Sequence, residues 1–60
     1  MNNLTASQIS SVKSAVDFAA AGFGTYTDIV EALGKTLQIT GDEAAVLMAD
    51  EVLARIAADN

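Results

Sequence analysis

Three threonine-led tetrapeptides divide this 60-residue chain: Thr5-Ala6-Ser7-Gln8, Thr25-Tyr26-Thr27-Asp28 and Thr40-Gly41-Asp42-Glu43. Each sets a hydroxyl three residues before an amide or a carboxylate. A hydroxyl there accepts a hydrogen bond from the backbone N–H of the third helical residue, and the amide or acid reaches back to the threonine N–H. Each tetrapeptide also precedes an apolar run of helical period. The chain is therefore expected to form three helices, over about 6–21, 26–37 and 41–58, packed as a small all-α three-helix bundle. It makes one domain, residues 1–60. Ser14-Ala15-Val16-Asp17 has the same pattern, but it falls inside the first periodic run and starts nothing. Thr25 is the least defined start, because Thr27 can cap in its place. The main architectural alternative is a helical hairpin whose third helix swaps into a dimer.

Spacing assigns a face to each helix. In the first, Ile9, Val12, Val16, Ala19 and Phe23 recur at intervals of three and four and are expected inward. Ser7, Ser10, Ser11, Lys13, Ser14 and Asp17 lie opposite. Leu4 and Ile9 are placed for a hydrophobic staple, and Gly22-Phe23-Gly24 supplies the left-handed end. In the second, Tyr26, Ile29, Val30, Leu33 and Leu37 form the inward stripe. Asp28, Glu31 and Lys35 face solvent, Glu31 and Lys35 as an i,i+4 ion pair. Gly34 costs about 1 kcal/mol against Ala inside a helix, so close approach or a bend is expected there. The end of this helix is open within Thr36-Leu37-Gln38-Ile39. In the third, Ala45, Val46, Ala49, Val52, Leu53 and Ile56 are expected inward. Asp42 and Glu43 favour the positive end of its dipole, and Glu51 pairs with Arg55.

Size and composition limit how such a bundle is stabilised. A domain of this length buries only about 60% of the surface its unfolded chain exposes. Without Cys or His it has neither a disulfide nor the usual zinc ligand sets. Hydrophobic residues nevertheless make up 52% of the chain. Association is the expected outlet for that surplus, as a homo-oligomer or docked on another protein. The net charge of −5 rests on eight acids against Lys13, Lys35 and Arg55, which fall on three different segments. Direct binding to nucleic acid or to an anionic membrane is not expected. No apolar run approaches the length of a membrane span and no secretory signal opens the chain, so a cytoplasmic location is expected.

The residue types needed for chemistry are sparse. General acid–base catalysis relies most often on His, which is absent. Asp42 and Glu43, and Asp50 and Glu51, are neighbours that point about 100° apart on a helix, so neither pair is a catalytic dyad. Glu43 and Asp50 share a face and read as a solvated edge. Lys13 is the one candidate base near the serine row of helix one, and a short chain builds little pocket around it. Gly22-Phe23-Gly24 lacks the spacing and the Lys-Ser/Thr ending of a phosphate loop. No segment has the alternating acids of a calcium loop. No catalytic, cofactor-binding or metal-binding residue is expected, and the chain reads as non-enzymatic.

Apolar residues off the stripes are the candidate contacts. Phe18 lies on the serine side of helix one, in line with Ser7, Ser11 and Ser14. Leu47 sits among Glu43, Asp50, Glu51 and Ala54, and Met48 lies at the edge of the inward face. The expected protein-interaction residues are Phe18, Leu47, Met48, Glu43 and Asp50. Ala15, Ala19 and Gly22 form a flank of small residues suited to a close intramolecular crossing or to a dimer seam.

In outline the chain resembles ubiquitin-associated domains, through the Gly22-Phe23 turn after helix one, Ala32-Leu33 in helix two and Ala45-Val46 in helix three. The resemblance implies a three-helix fold whose Gly-Phe loop and last helix meet a partner. The chain departs from that pattern with Ala21 where the loop carries Met, and with longer spacing to both pairs. Helices two and three around Gly41 resemble a helix-turn-helix, but Asp42, Glu43, Asp50 and Glu51 on the would-be reading helix oppose DNA. The functional reading is a small acidic helical regulator or inhibitor that binds another protein, of a size that phages and mobile elements encode. A self-assembling structural subunit, and an acidic mimic that blocks a nucleic-acid-binding protein, are the alternatives.

Overall fold

A computed structural model describes residues 4–59. It contains α1 (Ala6–Ala21), α2 (Tyr26–Leu37) and α3 (Gly41–Asp59), with no strand among the described residues. Each helix packs against both others, so the architecture is the expected three-helix bundle.

All three threonines cap. The Thr5 hydroxyl accepts from the Gln8 N–H at 3.1 Å, and the Gln8 side-chain oxygen accepts from the Thr5 N–H at 2.8 Å, a complete reciprocal cap. Thr25, rather than Thr27, starts α2 and accepts from the Asp28 N–H at 3.1 Å. The Thr40 hydroxyl accepts from the Glu43 N–H at 3.1 Å and donates to Glu43 Oε1 at 3.1 Å. Two left-handed residues end the first two helices. Gly22 has φ 78°, and its neighbour's N–H, that of Phe23, donates to the Phe18 carbonyl at 3.0 Å. Gln38 takes the same role after α2 with φ 60°, while the Ile39 N–H donates to the Gly34 carbonyl at 2.9 Å. That turn settles where the Thr36–Ile39 stretch leaves the helix.

Gly34 is buried where the chain doubles back. A Cβ at this position would lie 3.0 Å from the Ile39 carbonyl oxygen and 3.4 Å from that of Thr40. The missing side chain lets the 38–40 turn fold against α2 and aim α3 back across the bundle.

The core comprises Val12, Ala15 and Val16 of α1, Ile29, Val30, Leu33 and Leu37 of α2, and Ala44 and Met48 of α3. Leu4, Ala19, Ile39, Ala45 and Leu47 pack around it, half-buried. α2 is strongly one-sided, and its expected stripe is buried apart from Tyr26 at the first turn. Ile9 and Phe23, expected inward, are exposed, Phe23 because the left-handed Gly22 turns the chain off the helical path. The expected Glu31–Lys35 pair does not form; both side chains are exposed, and the ion pairs among the described residues belong to Arg55.

The largest departure is the rotation of α3. Of the residues expected inward, Val46, Val52, Leu53 and Ile56 are 59, 42, 62 and 53% exposed. Ala44 and Met48 take their place at 0 and 3%. Leu47, expected off the stripe, packs half-buried against the core, and Met48, expected at its edge, lies within it. Two observations account for this. Ala44 is small enough to enter the core with no exposure at all. Further along, Arg55 turns the C-terminal half by donating to Asp17 of α1 at 2.7 Å, to Glu51 at 2.7 Å and to the Lys13 carbonyl at 3.4 Å. Glu51, Arg55, Ala44 and Met48 therefore share the inward side. The Asp17 carboxylate, and after it that of Glu51, push the Arg55 pKa further up through these hydrogen bonds, so the guanidinium keeps its charge.

Candidate interaction surface

Turning α3 inward on Ala44 and Met48 puts its opposite face into solvent. Val46, Ala49, Leu53 and Ile56 follow one another there at intervals of three, four and three, all exposed, with Val52 at the flank. Among the described residues, eight large apolar side chains are exposed: Ile9, Phe18, Phe23, Tyr26, Val46, Val52, Leu53 and Ile56. Seven are buried: Val12, Val16, Ile29, Val30, Leu33, Leu37 and Met48. Isolated exposed apolar residues are ordinary on a monomer, but contiguous stripes are not.

Beside this stripe runs an apolar groove of about 410 Å³. Leu4 at the entry to α1, Leu37 and Ile39 at the end of α2, and Val46 and Leu47 of α3 line it, with Glu43 and Asp50 at its rim. Three of the residues expected from sequence, Leu47, Glu43 and Asp50, meet here. Glu43 is tied to the Thr40 cap by one carboxylate oxygen. Asp50 is exposed and makes no ion pair among the described residues. Met48 lies beneath this surface rather than on it.

Phe18 belongs to a different surface. It is 53% exposed and meets Phe23 edge-to-face, with ring centroids 6.0 Å apart. With Tyr26, which is 55% exposed, all three aromatic residues of the chain lie outside the core. Phe18 lines a shallow groove of about 420 Å³ between α1 and α2. Ser7, Ser11 and Ser14 form one wall, and Ile29, Ala32 and Thr36 the other. Its hydroxyls are partly engaged within their own helices, Ser11 with the Ser7 carbonyl and Thr36 with that of Ala32.

The structure thus splits the expected set into Phe18 on one side and Leu47, Glu43 and Asp50 on another. Their period alone places Val46, Leu53 and Ile56 in the core. The interval pattern was the signal available for them, and it does not say which way a helix faces. The small flank on α1 serves an internal crossing: Ala15 is buried and Ala19 packs against the core.

Among the described residues no group of three or more His, Cys, Asp or Glu side chains is placed to hold a metal ion. No described helix is long and apolar enough to cross a membrane. No protein-family model, curated protein or solved structure matches this chain.

Proposed function

We propose that this chain is a non-enzymatic protein-interaction module, a small acidic regulator that works by covering a surface on another protein with the outer face of α3. The observation that carries this reading is that α3 keeps its most apolar face outside while an alanine and a methionine enter the core and a partly exposed ion pair lies along α1. Four side chains between 42 and 62% exposed amount to roughly two complete apolar side chains. Covering them is worth about 3–6 kcal/mol at 1.5–3 kcal/mol each. Association costs upward of about 4 kcal/mol, so a stable complex also draws on the neighbouring groove and on Leu47. The acids Glu43 and Asp50 at that groove favour a partner with Lys or Arg beside its apolar anchor.

The test is capture by the immobilised protein from cells of its source, beside a Leu53→Ser/Ile56→Ser variant. One protein retained stoichiometrically by the wild type and lost by the variant is the expected result. Equal retention by both removes the α3 face from the reading. The spacing along α3 also favours a second reading, a structural subunit that assembles with itself; there the mass rises with concentration and no other protein is retained.

A further inference from the structure

We infer that a second copy of this chain covers the outer face of α3 when no other protein does, lying antiparallel along it. This rests on the reading of that face as an interface. The intervals of three, four and three between Val46, Ala49, Leu53 and Ile56 are those of a seam between two helices. An identical helix completes this seam well in only one direction. Antiparallel, about a two-fold axis level with residue 51, Ala49 of each copy meets Leu53 of the other, and Val46 meets Ile56. Small then faces large in the central layers. Parallel and in register, Ala49 would face Ala49 and leave a gap beside the Leu53 layer. Asp42, the preceding member of the same series, would then face Asp42. The antiparallel arrangement also sets each helix N-terminus beside the other's C-terminus, which aligns opposite dipole ends. It is an isologous contact, so it closes at two copies.

Area and charge set the strength. The described residues expose 4237 Å² in total. A standard interface takes about 800 Å² from each partner, roughly a fifth of that surface. A single face of α3, about 28 Å long at 1.5 Å per residue over 19 residues, supplies less. The dimer therefore belongs to the weak, concentration-dependent class. Each copy carries a net charge of −5, and the charged groups around the face are Asp42, Glu43, Asp50 and Asp59. Arg55, the one cation of α3, is turned away toward Asp17. In the antiparallel pair the two Asp50 side chains lie on the same flank, offset by only two residues along the helices. Two copies therefore associate more tightly as salt rises, whereas a cationic partner on the same face binds more weakly.

Sedimentation equilibrium across about 10 µM to 1 mM, at low and high salt, reads this directly. The expected result is a monomer–dimer transition whose midpoint falls severalfold at high salt. Asp50→Asn is expected to lower it severalfold at low salt, and Leu53→Ser/Ile56→Ser to raise it more than tenfold with an unchanged helical signal. The chain has no Cys, so introduced thiols report the register. Mixed Ala49→Cys and Leu53→Cys proteins are expected to oxidise to the 49–53 pair ahead of 49–49 or 53–53. A monomer throughout, a dimer that salt weakens, or preferred 49–49 and 53–53 pairs each overturn the antiparallel second copy. A monomer that still captures another protein through Leu53 and Ile56 leaves the interface reading standing. A Leu53→Ser/Ile56→Ser variant that assembles and captures as the wild type does ends both.

Discussion

The rotation of α3 can be tested by setting Met48→Ala against Leu53→Ala. Met48 is 3% exposed, and its removal leaves a cavity beside Ala44 and the α2 core. Met→Ala changes at such sites cost about 2–5 kcal/mol through lost transfer free energy and incomplete collapse. Leu53 is 62% exposed, so little more than a third of it leaves water on folding. At about 1.5–3 kcal/mol for a fully buried Leu, truncation forfeits roughly 0.6–1.1 kcal/mol, less the small helix-propensity gain of Ala. A domain of this size shifts its Tm by about 4–8 °C per kcal/mol. Met48→Ala is thus expected to lower Tm by 10 °C or more, on the order of half or all of the stability of a 60-residue domain. Leu53→Ala should lower it by a few degrees. The measurement is thermal or urea unfolding followed by circular dichroism at micromolar concentration, where self-association contributes least. If Leu53→Ala costs as much as Met48→Ala or more, α3 faces the core with its more apolar side, and the account of the exposed stripe is wrong.

Gly34→Ala is expected to destabilise by about 1–2 kcal/mol despite the roughly 1 kcal/mol propensity gain, because the new Cβ meets the Ile39 carbonyl oxygen at 3.0 Å and overpacked backbone yields little. Gly41→Ala, whose Cβ finds only the Val30 side chain at 3.9 Å, is expected to stabilise by up to about 1 kcal/mol; denaturant midpoints of the two variants should move in opposite directions. Gln38→Gly removes a left-handed non-glycine residue at φ 60° and is expected to stabilise by about 0.5–1 kcal/mol, seen as a Tm rise of several degrees. Arg55→Met unties the C-terminal half of α3 from Asp17 and is expected to speed amide exchange over residues 55–59 while leaving the α2 core protected.

Local chemistry in the sequence determined the three helices, their starts and the end of α1, but not the end of α2, which the left-handed Gln38 sets. Thr5, Thr25 and Thr40 act over three residues, and Gly22 acts within one turn, so no distant contact is needed to define those ends. The face of α2 was equally legible, since Ile29, Val30, Leu33 and Leu37 gather on one side and Asp28, Glu31 and Lys35 on the other. The face of α3 was not, and with it the location of the candidate interface. Its apolar residues run most of the way round the helix, so period alone selects the broader stripe of Val46, Leu53 and Ile56. Tertiary structure chose the narrower one, because Ala44 buries completely in the core, Gly34 lets the 38–40 turn fold against α2, and Arg55 reaches Asp17 only when Glu51 and Arg55 face α1. Those are contacts between residues as many as 42 positions apart, and no pattern within α3 contains them.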